Sequence, residues 1–241
     1  QAYTYALPYE FYTKNKIRRY GAHGTSHRYI AMKCRELFGD LTGKRIISCH
    51  IGSGSSICAI KDGKSIDTSM GYTPLAGVVM GTRSGDIDPA ILKDIMQIKN
   101  IDIDQAINLL NKESGLLGVT GKYSDLRDID NNLDNPRVKL AFDMMVYSIK
   151  KYIGAYAAIM NGVDYIIFTA GVGENDELVR EAVCKDMEYL GIDFDYKLNK
   201  SAPRGTIQEF TKKKSKVKVY RIPTDEEYMI ALDTANLVNN N

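Results

Sequence analysis

The chain has little of most features that would assign it to a special class. Its 32 Lys and Arg stand against 30 Asp and Glu, a net charge of +2, so no bulk field asks for nucleic acid or a membrane surface. Its apolar runs, such as "DYIIFTAGV", are far too short to cross a bilayer, and no signal-peptide pattern opens it. The four cysteines, Cys34, Cys49, Cys58 and Cys184, show no CxxC spacing and read as ordinary buried thiols of a reducing, cytoplasmic protein. Low-complexity segments and solenoid repeats are absent. What remains, 44% apolar and 26% charged over 241 residues, is the composition of a soluble globular protein with one large domain or two small ones. The chain begins at Gln1 instead of Met, so a processed or truncated piece of something longer is expected.

Histidine is the scarcest chemically useful residue. There are three, and all fall in Gly/Ser/Thr-rich stretches: "RYGAHGTSH" at 19–27 and "CHIGSGSSI" at 49–57. That placement suits a site better than a core. His23 and His27 lie four apart, a zinc spacing on a helix, but Gly24 between them argues against a helix and no third ligand is in evidence. A histidine donating to phosphate oxygens fits these surroundings better.

Along the chain, "RIISCHI", "SSICAIK" and "KSIDTS" read as short strands, with "KDGK" at 61–64 as a hairpin turn. "DIDPAILKDIMQIKNIDIDQAINLL" (86–110) reads as a helical stretch with Pro89 in its first turn and Asp86 or Asp88 at its cap. Residues 136–161 form a long apolar-periodic helix. A strand, a Gly-rich turn and a helix follow from Asp164, and the plan repeats with strand "KVKVYRIP", turn "TDEE" and helix "YMIALDTANLV". Strand–turn–helix units place functional groups at strand C-termini. The fold class is therefore α/β with an antiparallel hairpin inside it.

Four stretches could carry chemistry. "IGSGSS" (51–56) is either an anion nest or the tip of a tight hairpin; no GK[ST] follows, so it is not a Walker A loop. "TAGVGEN" (169–175) could receive a nucleotide at a helix N-terminus or be a plain βα turn. In "MGTRSGDID" (80–88), Arg83 could clamp a phosphoryl group or a carboxylate, or sit in a surface ion pair. "SDLRD" (124–128) has a solvated charge run as its default reading.

Together these stretches resemble the acetate kinases of the acetokinase family, in the sugar kinase, actin and heat-shock chaperone ATPase superfamily. The likeness runs almost end to end, through "YGAHGTSH", "HIGSGSSICAI", "GKSIDTSMGYTPLAGVVMGTRSGDIDP", "SGLLGVTG", "YSDLRD", "KYIGAYAAIMNGVD", "FTAGVGEN" and "IPTDEE". It implies a ribonuclease H-like α/β domain and reversible phosphoryl transfer between ATP and acetate, giving acetyl phosphate and ADP, with propionate as the alternative acceptor.

By the same resemblance, His23 and Arg83 are catalytic, contacting the phosphoryl group in flight. His50, Ile51, Gly52, Ser53 and Gly54, with Gly171, Val172, Gly173, Glu174 and Asn175, line the ATP site, and Asp125, Leu126 and Arg127 border the adenosine. Glu226 helps to place magnesium, or manganese in its stead. Residues 1–223 are expected to be the C-terminal nucleotide-binding domain. Residues 224–241 would be the helix that packs on an N-terminal domain, which this chain lacks. A cytoplasmic homodimer is implied, with small molecules as its other partners. The piece alone is expected to be inactive, or to be a nucleotide-binding or dimerisation module. Ala22, Ser53 and Asp225 stand where the family usually has Phe, Asn and Asn; they bear on affinity more than on identity.

Overall fold

The computed structural model describes residues 1–239. The elements, in chain order, are α1 (Tyr9–Thr13), α2 (Gly24–Phe38), β1 (Arg45–Ile51), β2 (Ser55–Lys61), β3 (Lys64–Thr68), α3 (Ile91–Lys99), α4 (Ile103–Lys112), α5 (Gly115–Thr120), α6 (Leu126–Asp130), α7 (Pro136–Ile159), β4 (Tyr165–Thr169), α8 (Ala170–Asn175), α9 (Glu177–Cys184), α10 (Tyr196–Ser201), β5 (Gln208–Glu209), β6 (Lys218–Arg221) and α11 (Glu226–Asn239). The chain forms two compact units. The first holds 1–22, 52–57 and 69–154; the second holds 23–51, 58–68 and 155–241.

The second unit is built on a mixed sheet of order β3-β2-β1-β4-β6-β5. β4 pairs in parallel with β1 and with β6, while β2/β3 and β5/β6 are antiparallel. Nearly every side chain of β1 and β4 is buried. Both faces are thus covered, which is why β4 reads as a continuous apolar run instead of alternating. The β2–β3 hairpin turns at Asp62 (φ 54) and Gly63 (φ 74). Two successive left-handed residues match the strand twist, and Asp-Gly tolerates them best. α11 lies on α2: Met229 joins the cluster of Tyr29, Ile30 and Cys34, the Tyr228 ring meets that of Tyr29 edge-on, and Arg28 pairs with Asp233. Tyr228, Ile230, Leu237 and Val238 of the same helix remain exposed. The segment expected at 224–241 ends at residues 240 and 241, outside the described residues.

The first unit is helical. α7, 24 residues long, carries the chain from this unit into the second. Its buried residues in the first unit, Val138, Ala141, Phe142, Met145, Val146, Ile149 and Ile153, follow the three-and-four spacing of one helix face.

Four expectations are corrected. The stretch 86–110 is two helices, because Asn100 turns left-handed (φ 53) and Asp102 opens a new helix with a capping box. Asp102 Oδ1 accepts from the Gln105 N–H at 2.8 Å, and Gln105 Oε1 accepts from the Asp102 N–H at 3.0 Å. Pro89 precedes α3, and Asp88 Oδ1 accepts from the Ala90 N–H instead of capping the helix. Gly24 does not prevent a helix, since α2 begins there, where a glycine costs little; His27 lies inside α2. The Gly-rich turn after β4 is itself helical, as α8, and the break to α9 falls at Asp176, whose carboxylate accepts from the Val179 N–H.

Candidate active site

In the second unit, candidate residues gather at the C-terminal ends of β1 and β4, where open α/β sheets bind ligands. Pairing puts His50 beside Thr169, so the His50–Ile51 end of β1 and the α8 segment Gly171–Asn175 share one edge. α8 comes close to β1: a Cβ on Gly173 would lie 3.5 Å from the Cys49 carbonyl oxygen and 3.7 Å from Ile51 Cβ. Ile51, expected along the ATP site, is fully buried. Thr169 is also fully buried and its hydroxyl has no hydrogen-bond partner among the described residues.

The three histidines lie together. The rings of His23 and His50 stack at 3.9 Å, and His27 meets His50 edge-on at 6.2 Å. His23 occupies the left-handed N-cap of α2 (φ 60), a conformation unusual for a residue with a side chain and one that clusters at functional sites. A chain of polar contacts fixes its neighbour. His50 Nδ1 is 2.9 Å from Ser26 Oγ, Ser26 Oγ is 2.8 Å from Thr224 Oγ1, and the Thr224 N–H donates to Glu174 Oε1 at 3.0 Å. His27 Nδ1 sits 2.9 Å from Ser48 Oγ. Burial lowers both His27 and His50 to about 3, helped by the nearby histidines. Both are therefore neutral at physiological pH. His50, expected along the ATP site, is a buried member of this chain.

Two buried arginines brace α8. Arg180 donates to the Gly173 and Glu174 carbonyls, both at 3.0 Å, and to Asn199 Oδ1 at 2.8 Å. Arg221 donates to the Thr206 carbonyl at 2.9 Å and reaches Glu174 O at 3.4 Å. Burial and then the Arg221 charge pull Arg180 down to about 10. Nothing in the local sequence pattern distinguishes these two from surface arginines. Ser26 and Thr224 lay within the quoted motifs but only the fold joins them.

In the first unit lie Gly52, Ser53, Gly54, Arg83, Asp125, Leu126 and Arg127. A Cβ on Gly81 would lie 2.8 Å from the Ser124 carbonyl oxygen and 3.7 Å from that of Ser53, which brings those two segments to the Arg83 loop. Arg83 makes no ion pair among the described residues. Its Nη1 donates to the Pro74 carbonyl at 3.1 Å, and it lines a cavity of about 370 Å³ with Thr82, Asp104 and Asn111. A half-buried guanidinium without a carboxylate is free to answer an incoming anion. Arg127, by contrast, is exposed and grips Asp125 through two side-chain hydrogen bonds, 3.0 and 2.6 Å. Those bonds and the Arg127 N–H hold Asp125 at about 2. Leu126 is buried.

Among the described residues no group of three His, Cys, Asp or Glu is placed to hold a metal ion. Glu226 nonetheless fits a magnesium–nucleotide. It is half-buried and makes no hydrogen bond or ion pair among the described residues, and magnesium takes one or two carboxylates together with substrate phosphates. Its neighbour Asp225 is occupied, accepting from the Tyr228 N–H at 2.8 Å. The four cysteines are buried and form no disulfide among the described residues; desolvation pushes Cys34 and Cys58 up to about 12, so those two are unreactive thiols. No helix among the described residues is long and apolar enough to cross a membrane.

Comparison with known proteins converges on one group. The family model described as the Acetokinase family matches residues 1–232. The acetate kinase of Caldicellulosiruptor saccharolyticus is 55% identical over 240 residues, covering 98% of this chain and 60% of that protein. Among solved structures, the acetate kinase of Porphyromonas gingivalis superposes with a TM-score of 0.93 at 51% identity, covering 98% of this chain and 60% of that one. A propionate kinase from Francisella tularensis subsp. tularensis gives a TM-score of 0.88 at 38% identity, over 95% of this chain and 59% of that one. This chain therefore spans about 60% of the length of the curated relatives it matches.

Proposed function

Because the chain belongs to the acetokinase family, we propose that its protein transfers a phosphoryl group reversibly between ATP and acetate, giving acetyl phosphate and ADP. In this reading the chain supplies the nucleotide-binding and phosphoryl-handling part. The observation that carries it is the 55% identity to an acetate kinase over 98% of this chain, a span that includes His23, Arg83, both Gly-rich segments and "SDLRD".

The chemistry asks little of the protein beyond position and charge. Acetate attacks the γ-phosphorus, and charge spreads over three equatorial oxygens as the bond to ADP breaks. Arg83, without a carboxylate partner, would stabilise that charge. His23, stacked on a neutral His50, would donate to a phosphoryl oxygen. Gly52–Gly54 and Gly171–Asn175 would offer backbone N–H groups to the phosphates, with Asp125–Arg127 beside the adenosine. Glu226 would help to hold magnesium on the nucleotide, where the ion supplies further neutralisation of phosphate charge. No covalent enzyme intermediate is required.

The protein is further proposed to be a cytoplasmic homodimer. The exposed Leu140, Met144 and Tyr147 of α7 are the apolar residues for that contact. The exposed side chains of α11 would receive the remainder of the enzyme. Sedimentation equilibrium tests the dimer, and a monomer at high micromolar concentration refutes it.

The activity is tested by trapping acetyl phosphate as its hydroxamate, in full-length protein, with acetate and propionate compared. Arg83→Ala should lower kcat by about 10² to 10³, the cost of one transition-state donor. Unchanged kcat with weakened ATP binding reassigns Arg83 to the ground state. The chain alone should bind Mg-ADP weakly without turnover; a flat calorimetric titration at millimolar nucleotide counts against the nucleotide assignment.

A further inference from the structure

The geometry points to Gly115 as a positioning residue for Arg83, through a backbone ladder that fastens the arginine's loop to the start of α5. The inference rests on the proposed role of Arg83.

The first N–H groups of a helix have no partner within it. At α5 three of these donors go to successive carbonyls of the loop. The Ser114 N–H donates to Thr82 O at 3.0 Å, Leu116 to Met80 O at 2.9 Å, and Leu117 to Gly81 O at 2.9 Å. The loop closes on itself through the Met80 N–H and Arg83 O, 3.1 Å apart. So the backbone just before Arg83 is held by the start of α5 and that just after it by the Ser84 N–H on Leu110 O at 3.0 Å, while the guanidinium is held, among the described residues, only by Pro74 O and a long contact to Met80 Sδ.

Gly115 makes this fit possible. It is buried and left-handed (φ 61). A Cβ there would overlap the Met80 carbonyl oxygen, and would lie 2.6 Å from Arg83 O and 3.0 Å from Arg83 N. All three are backbone atoms, so no side-chain rotation relieves the clash; the loop itself must move. On its other side the loop is already wedged, since Gly81 has the Ser124 carbonyl 2.8 Å from its would-be Cβ. An added methyl at 115 therefore displaces the arginine's backbone relative to the segment ahead of Asp125.

Gly121 supplies a matched control. It is also left-handed (φ 76), but the three atoms nearest its added Cβ all belong to the Arg137 guanidinium, at 3.4 Å and beyond, the far end of a flexible side chain. Gly115→Ala and Gly121→Ala share the backbone strain; only the first pushes the Arg83 loop.

The test compares both variants with Arg83→Ala in full-length protein, by steady-state kinetics after circular dichroism has shown that each is folded. Gly115→Ala should lose about ten- to a hundred-fold in kcat, the scale of a displacement near 1 Å, with KM for ATP within about two-fold, and Gly121→Ala should keep kcat. A folded Gly115→Ala with parental kcat overturns the inference, as does an equal loss in Gly121→Ala. If Gly115→Ala does not fold, Gly81→Ala decides, since it pushes the same loop more gently: a fall in kcat supports the inference and an unchanged kcat overturns it. If Arg83→Ala keeps kcat, the proposed role of Arg83 falls instead, and the inference with it.

Discussion

Acid should unfold the second unit through its buried histidines, and the size of the effect follows from their burial. His27 and His50 are 5% and 7% exposed, and both are held at about 3 against an ordinary 6.5. The folded form keeps them neutral, while the unfolded chain takes up their protons once the pH falls below 6.5. Stability is thus fully present above about pH 6.5, is lost as the pH falls, and levels off near 3. At pH 5 each histidine costs about 2 kcal/mol, so the pair costs about 4 kcal/mol, a large share of ordinary domain stability. Asp125 does not confuse the measurement, because a carboxyl held at about 2 gives up its stabilisation only below about pH 4. With 16 Tyr and no Trp, the chain is best followed by far-ultraviolet circular dichroism in urea. His27→Gln can still reach Ser48 and should remove about half of the difference between pH 8 and pH 5; adding His50→Gln should remove most of it. If the double variant loses stability with acid as steeply as the parent, the burial argument fails.

Ser26→Ala cuts the contacts from His50 to Thr224 and should cost about 1–3 kcal/mol, read as a shifted urea midpoint at pH 8; an unchanged midpoint would show that the contacts add nothing. Asp102→Ala removes the carboxylate of the α4 capping box and should cost about 1 kcal/mol in the same assay, a loss that Asp102→Ser should largely restore. Glu226→Gln should weaken the binding of Mg-ADP much more than that of ADP in the presence of a chelator, and equal weakening would remove Glu226 from the metal.

Much of the architecture could be read from local pattern. β4 announced itself as an unbroken apolar run because both its faces are covered. α7 showed its helical period because one stripe of it is buried over many turns. The hairpin at Asp62–Gly63 was visible because few residues other than Asp-Gly accept two left-handed positions in a row. The quoted motifs likewise singled out His23, Arg83 and the Gly-rich segments as candidates for a site, since chemistry at a backbone turn needs small residues beside the reactive one.

Other features depended on partners far along the chain. The break between α3 and α4 turned on whether Asn100 would go left-handed, a choice that periodicity alone leaves open. The Gly-rich segment after β4 became helix because close approach to β1 was available to it. Ser26 and Thr224 lie 198 residues apart and meet only when α2 and the end of β6 reach the same edge of the sheet. His50, expected along the nucleotide, lies nearly buried with its ring stacked on that of His23, because exposure is set by what packs over a strand end and not by the strand's own sequence. Gly115 read as one more glycine among 20. Its necessity comes from the Met80 and Arg83 backbone, which only the folded first unit brings against it.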